Sequence, residues 1–401
     1  MFPQKIRTKS VNKPSPKGVE PYMIKIGIVG ARGLSTLAGF QANPDTEVVA
    51  LCDLDESLLE EQARKYSIPK TYRIYEDMLE SDLDAVVIAT PMQLHAPQAI
   101  QALETGKHVM SEVTAGVTMD ELWWLKETVE KTKKVYMMAE NYCYIPENQL
   151  IQNMVNLGLF GDVYFGEGEY IHDIKSLANM NNNTQKATSI PTWRKYWQLG
   201  KRGAYYPTHS LGPVMNWFRG NRIKSIATFG TGWHTAPEFR QEDTSITLCQ
   251  LEDGKLIKIR LDCISERPHN MAYYTLQGTK GCYEAPRGLG DQHKIWIKDV
   301  SGGENPVWQP LTDFYEYLPE RYKQATAEQK ATGHWGADFF IVQDFVQAIL
   351  TGEKTAIDVY QACEWTAVAL LSELSVMNGG RVMEMPDFRN NNDYHSQIIK
   401  L

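Results

Sequence analysis

The sequence is poor in three things that would each have fixed a class. Its six cysteines (Cys52, Cys143, Cys249, Cys263, Cys282, Cys363) are scattered over 401 residues, and none forms a CxxC pair. That argues against a disulfide framework and a zinc cluster, and fits a reducing compartment. Uninterrupted apolar runs fall well short of the ~18 residues that cross a bilayer, so no membrane span is expected. Positive charge is in deficit: Lys and Arg number 41 against 49 Asp and Glu, a net charge of −8. A net acidic chain without a basic cluster on its folded part is a poor nucleic-acid binder.

What is present is the balance of a folded globular chain, with 43% hydrophobic and 22% charged residues. The length points to two or three domains. Residues 1–22 carry Lys5, Arg7, Lys9, Lys13 and Lys17 with no apolar stretch, and read as a disordered basic tail. Cytoplasmic location is the expectation, with a processed export signal missing from this numbering as the open alternative. The division expected is a tail over 1–22, a Rossmann domain over 23–141, a substrate and oligomerisation domain over 142–385, and a C-terminal tail over 386–401.

Strands alternate with helices in the first half. Short apolar runs at Ile24–Val29, Val48–Asp53, Asp84–Ala89, His108–Ser111 and Val135–Ala139 read as buried parallel strands. Helical spacing separates them, most clearly at Glu56–Tyr66, Ala96–Glu104 and Thr118–Val129. The pattern predicts a doubly wound parallel sheet. Gly27 within the first strand and Gly30 and Gly33 after it form G-x-x-G-x-x-G, where the usual second and third glycines are Arg32 and Ser35. A glycine turn there lets backbone N–H groups approach a pyrophosphate at a helix N-terminus. Asp53, at the tip of the second strand, follows Gly30 at close to the ~20-residue spacing of the acid that binds ribose hydroxyls. Its carboxylate would repel a 2′-phosphate, so NAD is expected over NADP.

In the second half, Val163–Asp173 and Leu256–Ile264 alternate with period two. On the first of these strands Tyr164, Tyr170 and His172 fall on one face and Glu167, Glu169 and Asp173 on the other. These alternations predict an antiparallel sheet with one polar or ligand-facing side. Residues 175–190 are polar and read as a loop or lid. Asp338–Leu350 and Asp358–Val376 read as helices.

The segment VVIATPMQLHAPQAIQALETGKHVMSEVTAG (86–116) resembles the family of glucose–fructose oxidoreductase, inositol dehydrogenase and rhizopine-catabolism proteins. Its Thr90-Pro91…His95 turn, its Gly106-Lys107-His108-Val109 and its Glu112-Val113-Thr114 follow that family's order. One position departs. Where the family has E-K-P, this chain has Val113 in place of the lysine, and valine has neither a donor nor a titratable group. Farther on, Asn141, Tyr170-Ile171-His172-Asp173, Trp193-Arg194 and Tyr206-Pro207-Thr208-His209 resemble the NAD-dependent glycosidase branch, typified by α-N-acetylgalactosaminidase.

The resemblance implies a bound NAD contacted by Gly30, Arg32, Gly33, Asp53, Thr90, Met92, His95, Glu112, Val113 and Asn141. It implies a large open, mainly antiparallel sheet in the second half, a sugar pocket lined by Tyr170, Arg194, Tyr206 and His209, and assembly as a homodimer or homotetramer. The implied reaction is glycoside cleavage by transient oxidation at C3, proton loss at C2 and elimination at C1, with the cofactor recycled. A sugar or glycoside is then the small-molecule partner, with neither nucleic acid nor membrane. His209 is the first choice as acid/base and Tyr170 the second, with His172 a further candidate that could equally make a strand-end hydrogen bond. His334 and Asp338 could face a sugar or cap a helix, and only one of Tyr205 and Tyr206 can face the pocket. No metal is expected. Two other readings stay open: a sugar or inositol dehydrogenase that releases NADH, and a non-catalytic NAD-binding regulator.

Overall fold

The computed structural model describes residues 22–181, 186–187, 191–301 and 305–391. The basic segment before residue 22, part of the 175–190 stretch and the last ten residues lie outside the described residues. The first sheet has six parallel strands: β1 (Ile24–Val29), β2 (Thr46–Cys52), β3 (Lys70–Tyr72), β4 (Ala85–Ile88), β5 (His108–Ser111) and β6 (Tyr136–Met138). Their order is β3-β2-β1-β4-β5-β6. The order reverses between β1 and β4, which opens a crevice at the carboxyl ends of the strands. Ile24, Ile26 and Ile28 are fully buried, as a central strand covered on both faces requires. Strand β3 was not visible in the sequence, because this three-residue edge strand is mostly exposed and carries no apolar run. The helix after β1 is short, Leu37–Gln41. Gly39 lies so close to the Asp338 carbonyl that a Cβ there would sit 2.4 Å from its oxygen, which presses this helix onto Ala337–Thr351.

The second sheet is built on β7 (Val163–Ile171). The short hairpin β8 (Met180–Asn181) and β9 (Lys186–Ala187) stands apart from it. The remaining strands are β10 (Ile223–Gly230), β11 (Ser245–Leu251), β12 (Leu256–Asp262), β13 (Asn270–Gly278), β14 (Gly281–Glu284), β15 (Lys294–Ile297), β16 (Gln309–Pro310) and β17 (Met383–Glu384). The order is β16-β15-β14-β13-β7-β12-β11-β10-β17, antiparallel throughout except for the β7–β12 pair.

The two faces of this sheet differ in chemistry. On one, Ile257, Ile259 and Leu261 of β12 are buried. On the other, Lys258 pairs with Glu167, and Arg287 meets Glu169 at 2.7 Å. Gly166 and Gly168 of β7 lie on the covered face, where the helix Thr208–Trp217 crosses. A Cβ on Gly168 would stand 1.8 Å from the Ser210 carbonyl oxygen. Glycine therefore lets the first turn of that helix, which carries His209, lie against β7 just before Tyr170.

The last helix, Val359–Met377, packs on both β10 and the helix Met119–Thr132, and so joins the two sheets. Part of the stretch read as a C-terminal tail is packed as well. Phe388 is buried with its ring 4.7 Å from that of Trp123. Among the described residues no helix is long and apolar enough to cross a membrane.

Candidate active site

A cavity of about 800 Å³ lies at the carboxyl ends of the first sheet and extends to the covered face of the second. Of the residues expected at the cofactor, Gly30, Arg32, Gly33, Asp53, Thr90, His95, Glu112, Val113 and Asn141 line it. Met92 does not; it is buried beneath, with Val117, Tyr205 and Ala369. Gly30 has φ +103° and lies so close to the end of β4 that a Cβ would meet the Ala89 carbonyl oxygen at 2.4 Å. Asp53 Oδ2 accepts from the Ala31 N–H at 2.8 Å, which couples the glycine turn to the tip of β2. Arg32 reaches past it to Asp55 at 3.1 Å.

His95 touches the cavity but has both ring nitrogens against carbonyl oxygens, Nδ1 to Thr114 at 2.7 Å and Nε2 to Thr90 at 2.8 Å. Burial lowers its pKa. Its visible role is to tie the β4 turn to the β5 turn. Glu112 accepts from Ser35 Oγ at 2.5 Å. Desolvation raises its pKa against the opposing pull of that hydrogen bond.

Tyr170, His172, Arg194, Tyr206 and His209 converge at the other end of the same cavity. His209 Nδ1 lies 2.8 Å from Glu140 Oε1, and Glu140 is fully buried. The imidazole stacks on Tyr142 at 4.3 Å and 14°, and stands 4.9 Å from the Tyr170 ring and 5.1 Å from Tyr206. A carboxylate on Nδ1 fixes the tautomer with the proton there and leaves Nε2 as the acceptor.

The Tyr170 hydroxyl lies 2.6 Å from His172 Nδ1. Burial, followed by the nearby His269, Arg194 and His209, lowers the His172 pKa to about 4, so this imidazole is neutral at pH 7. Burial pushes the Tyr170 phenol well up. The proton therefore rests on the phenol, which donates to His172.

Tyr206 faces the cavity. Tyr205 is buried, with its hydroxyl 3.3 Å from the Val117 carbonyl oxygen. His334 also lines the cavity: its Nδ1 lies 2.9 Å from Asn141 Nδ2 and 3.0 Å from Asp338. Burial opposes a charge on His334, but Asp338, Glu112 and Glu140 outweigh it and the pKa rises. Glu140 escaped the sequence reading. Its signal was its place, an acid next to Asn141 just past the last parallel strand.

Among the described residues, two buried polar atoms on the cavity wall lack a partner, Asn141 Oδ1 and Arg194 Nε. One is an acceptor beside the strand tips and the other a donor near the tyrosines. An amide-bearing ring on the first side and a hydroxylated ligand on the second would satisfy both. The residues present thus fit a nicotinamide cofactor. Among the described residues, no group of three or more His, Cys, Asp or Glu is placed to hold a metal ion.

Comparison with known proteins agrees with this geometry. The family model described as "Oxidoreductase family, NAD-binding Rossmann fold" matches residues 24–140. Levoglucosan dehydrogenase in complex with NADH superposes with a TM-score of 0.73 at 18% identity, over 91% of this chain and 99% of that one. Scyllo-inositol dehydrogenase from Lactobacillus casei gives 0.66 at 17%, over 91% and 99%. The protein is an NAD-dependent enzyme whose Rossmann domain is of the oxidoreductase family.

The model described as "Glycosyl hydrolase 109, C-terminal domain" matches residues 144–394. A glycosyl hydrolase family 109 protein of Saccharopolyspora erythraea is 31% identical over 91% of this chain and 83% of its own length. The alpha-N-acetylgalactosaminidase of Shewanella oneidensis is 30% identical over 91% and 85%. The chain belongs to glycosyl hydrolase family 109.

Proposed function

We infer that the enzyme cleaves a glycoside, an α-N-acetylgalactosaminide being the first candidate from the relatives' names, by oxidising C3, removing the C2 proton and expelling the C1 substituent. The single observation that supports this reading most is the pair of proton-handling couples in one cavity. His209 on Glu140 and Tyr170 on His172 lie with their first-named rings 4.9 Å apart. Oxidation at C3 requires a hydroxyl proton to leave, and elimination requires a C–H proton to leave. These two couples lie against one another, whereas His334 on Asp338, also at the cavity, has its Nδ1 against Asn141, and Val113 offers no proton-handling group.

Bound NAD would supply the hydride acceptor and donor for C3. The chain's own residues do the rest. Gly30, Gly33 and Asp53 would hold the dinucleotide end and Asn141 the ring end. Arg194 presents its half-buried guanidinium to sugar hydroxyls, and Tyr206 walls the ring. His209 Nε2 accepts a proton while Glu140 stabilises the imidazolium that forms. Tyr170 rests protonated, so its hydroxyl can take a proton from the sugar only by passing its own to His172 Nδ1 in the same step. No pair of opposed carboxylates is needed, unlike the direct displacement route.

The test is 4-nitrophenyl α-N-acetylgalactosaminide with protein and one equivalent of NAD. The proposal expects many equivalents of nitrophenol with no net rise in NADH absorbance. NADH accumulating in step with sugar consumed would make the protein a dehydrogenase instead.

A further inference from the structure

A second cavity of about 380 Å³ opens beside the large one. The two share Tyr170, His172, His209 and His334, and the smaller adds Tyr142, Met271 and Trp335. The shared side chains form a waist. On one side of it lie Gly30, Asp53 and Thr90 at the strand tips; on the other lie an indole, a thioether and a phenol ring.

Trp335 is the unusual member. Its side chain is 58% exposed. Its backbone sits at φ 59° and ψ 33°, and His334 before it also has a positive φ of 51°. Bulky residues rarely occupy that region, and such strain persists where the surroundings hold it. Here Thr332 Oγ1 donates to the Gly336 carbonyl oxygen, and Gly336, itself at φ 87°, continues the turn. The Tyr142 ring meets the indole edge-on, with centroids 6.0 Å apart and planes at 74°. The fold thus holds a large apolar face open to water beside the reacting groups, where burial against the core would have been more favourable.

The geometry points to the smaller chamber as a leaving-group subsite: it receives the substituent on the sugar's anomeric carbon and selects one with a flat apolar face that stacks on Trp335. The inference rests on the glycoside reading above and adds what is attached to the sugar. An aromatic aglycone and the C–H face of a second pyranose present the same chemistry, so both are tested.

The experiment is calorimetric titration of the full chain loaded with NADH, which cannot begin the oxidation, so that glycosides bind without being consumed. The ligands are methyl α-N-acetylgalactosaminide, its 4-nitrophenyl counterpart, and a disaccharide with the same sugar at its non-reducing end. The 4-nitrophenyl glycoside should bind about tenfold tighter than the methyl glycoside, the worth of one stacked ring. Trp335→Ala should reduce that preference to below about twofold while leaving methyl glycoside affinity unchanged. Trp335→Phe should keep most of the preference, which a collapsed loop would not do. A disaccharide advantage lost in Trp335→Ala assigns the subsite to sugars; an advantage confined to the aryl glycoside assigns it to aromatic groups. Equal affinity of methyl and nitrophenyl glycosides for the parent protein, or a preference that survives Trp335→Ala, overturns the subsite. Failure of all three ligands to bind overturns the glycoside reading itself, and the subsite with it.

Discussion

The two ends of the large cavity are built in different ways. At the cofactor end the lining residues come from consecutive strand-to-helix turns: Gly30–Gly33 after β1, Asp53–Asp55 after β2, Arg73–Glu76 after β3, Thr90–His95 after β4 and Glu112–Val113 after β5. Each turn places its own residues, and the contacts that shape it run to the neighbouring strand tip. At the sugar end Tyr170 and His172 are near neighbours at the end of β7, but the groups that meet them come from distant parts of the chain. His209 meets Glu140 across 69 positions, and its carbonyl oxygen accepts from the Tyr274 hydroxyl across 65. There the placement depends on topology: a helix that crosses β7 on two glycines, and the chain's return to the first domain at residues 334–338. One end is specified locally, the other by the whole fold.

Substitutions should therefore separate the ends. The largest effect is expected from His209→Ala. The loss of a general acid/base lowers kcat by about 10³-fold, and NAD affinity stays within about twofold. Equal losses in both, measured by steady-state kinetics and cofactor titration, would break the comparison.

Gly168→Ala comes next. Its new methyl group would meet the Ser210 carbonyl, and overpacking of this kind costs about 3 kcal/mol. Thermal unfolding should show the loss, with activity falling as the His209 helix lifts from β7. At the cofactor end, Asp53→Ala should weaken NAD by about tenfold, the worth of a charged hydrogen bond. The KM for the glycoside, measured at saturating NAD, should hold.

The smallest effect concerns two histidines, each held neutral to about pH 4 chiefly by burial. His108 Nδ1 accepts the Val135 N–H at 2.9 Å beside β5, while His172 serves the candidate site. In the unfolded chain both would titrate near pH 6.5. The unfolded state therefore binds more protons between these values. Each histidine thus contributes stability above pH 6.5 that is lost as pH falls toward 4. His108→Gln should flatten the fall of melting temperature with acid and leave the pH–rate profile alone. His172→Gln should also move the acid limb of that profile. A shifted limb in His108→Gln would contradict the division of roles.

The same contrast explains what could be read from the residues alone. The parallel strands announce themselves as apolar runs, and the G-x-x-G-x-x-G turn and Asp53 follow at readable spacings. Edge strand β3 escaped because it buries little. At the sugar end, the stretch Tyr206-Pro207-Thr208-His209 pointed to His209 only through its likeness to other proteins. Its partner Glu140 has no sequence spacing that identifies it. Trp335 carries no signal in the sequence, because neither its exposure nor its left-handed backbone is written in local pattern. Met92 shows the opposite error: it lies inside a motif, yet its side chain turns into the core.

The central claim is that C2 of the sugar loses its proton during turnover while the cofactor ends as it began. The most direct measurement is turnover of 4-nitrophenyl α-N-acetylgalactosaminide in D₂O, with NMR of the released sugar and NADH absorbance followed together. The account predicts deuterium at C2 in the product with no net NADH. Nitrophenol release with hydrogen fully retained at C2 would contradict it.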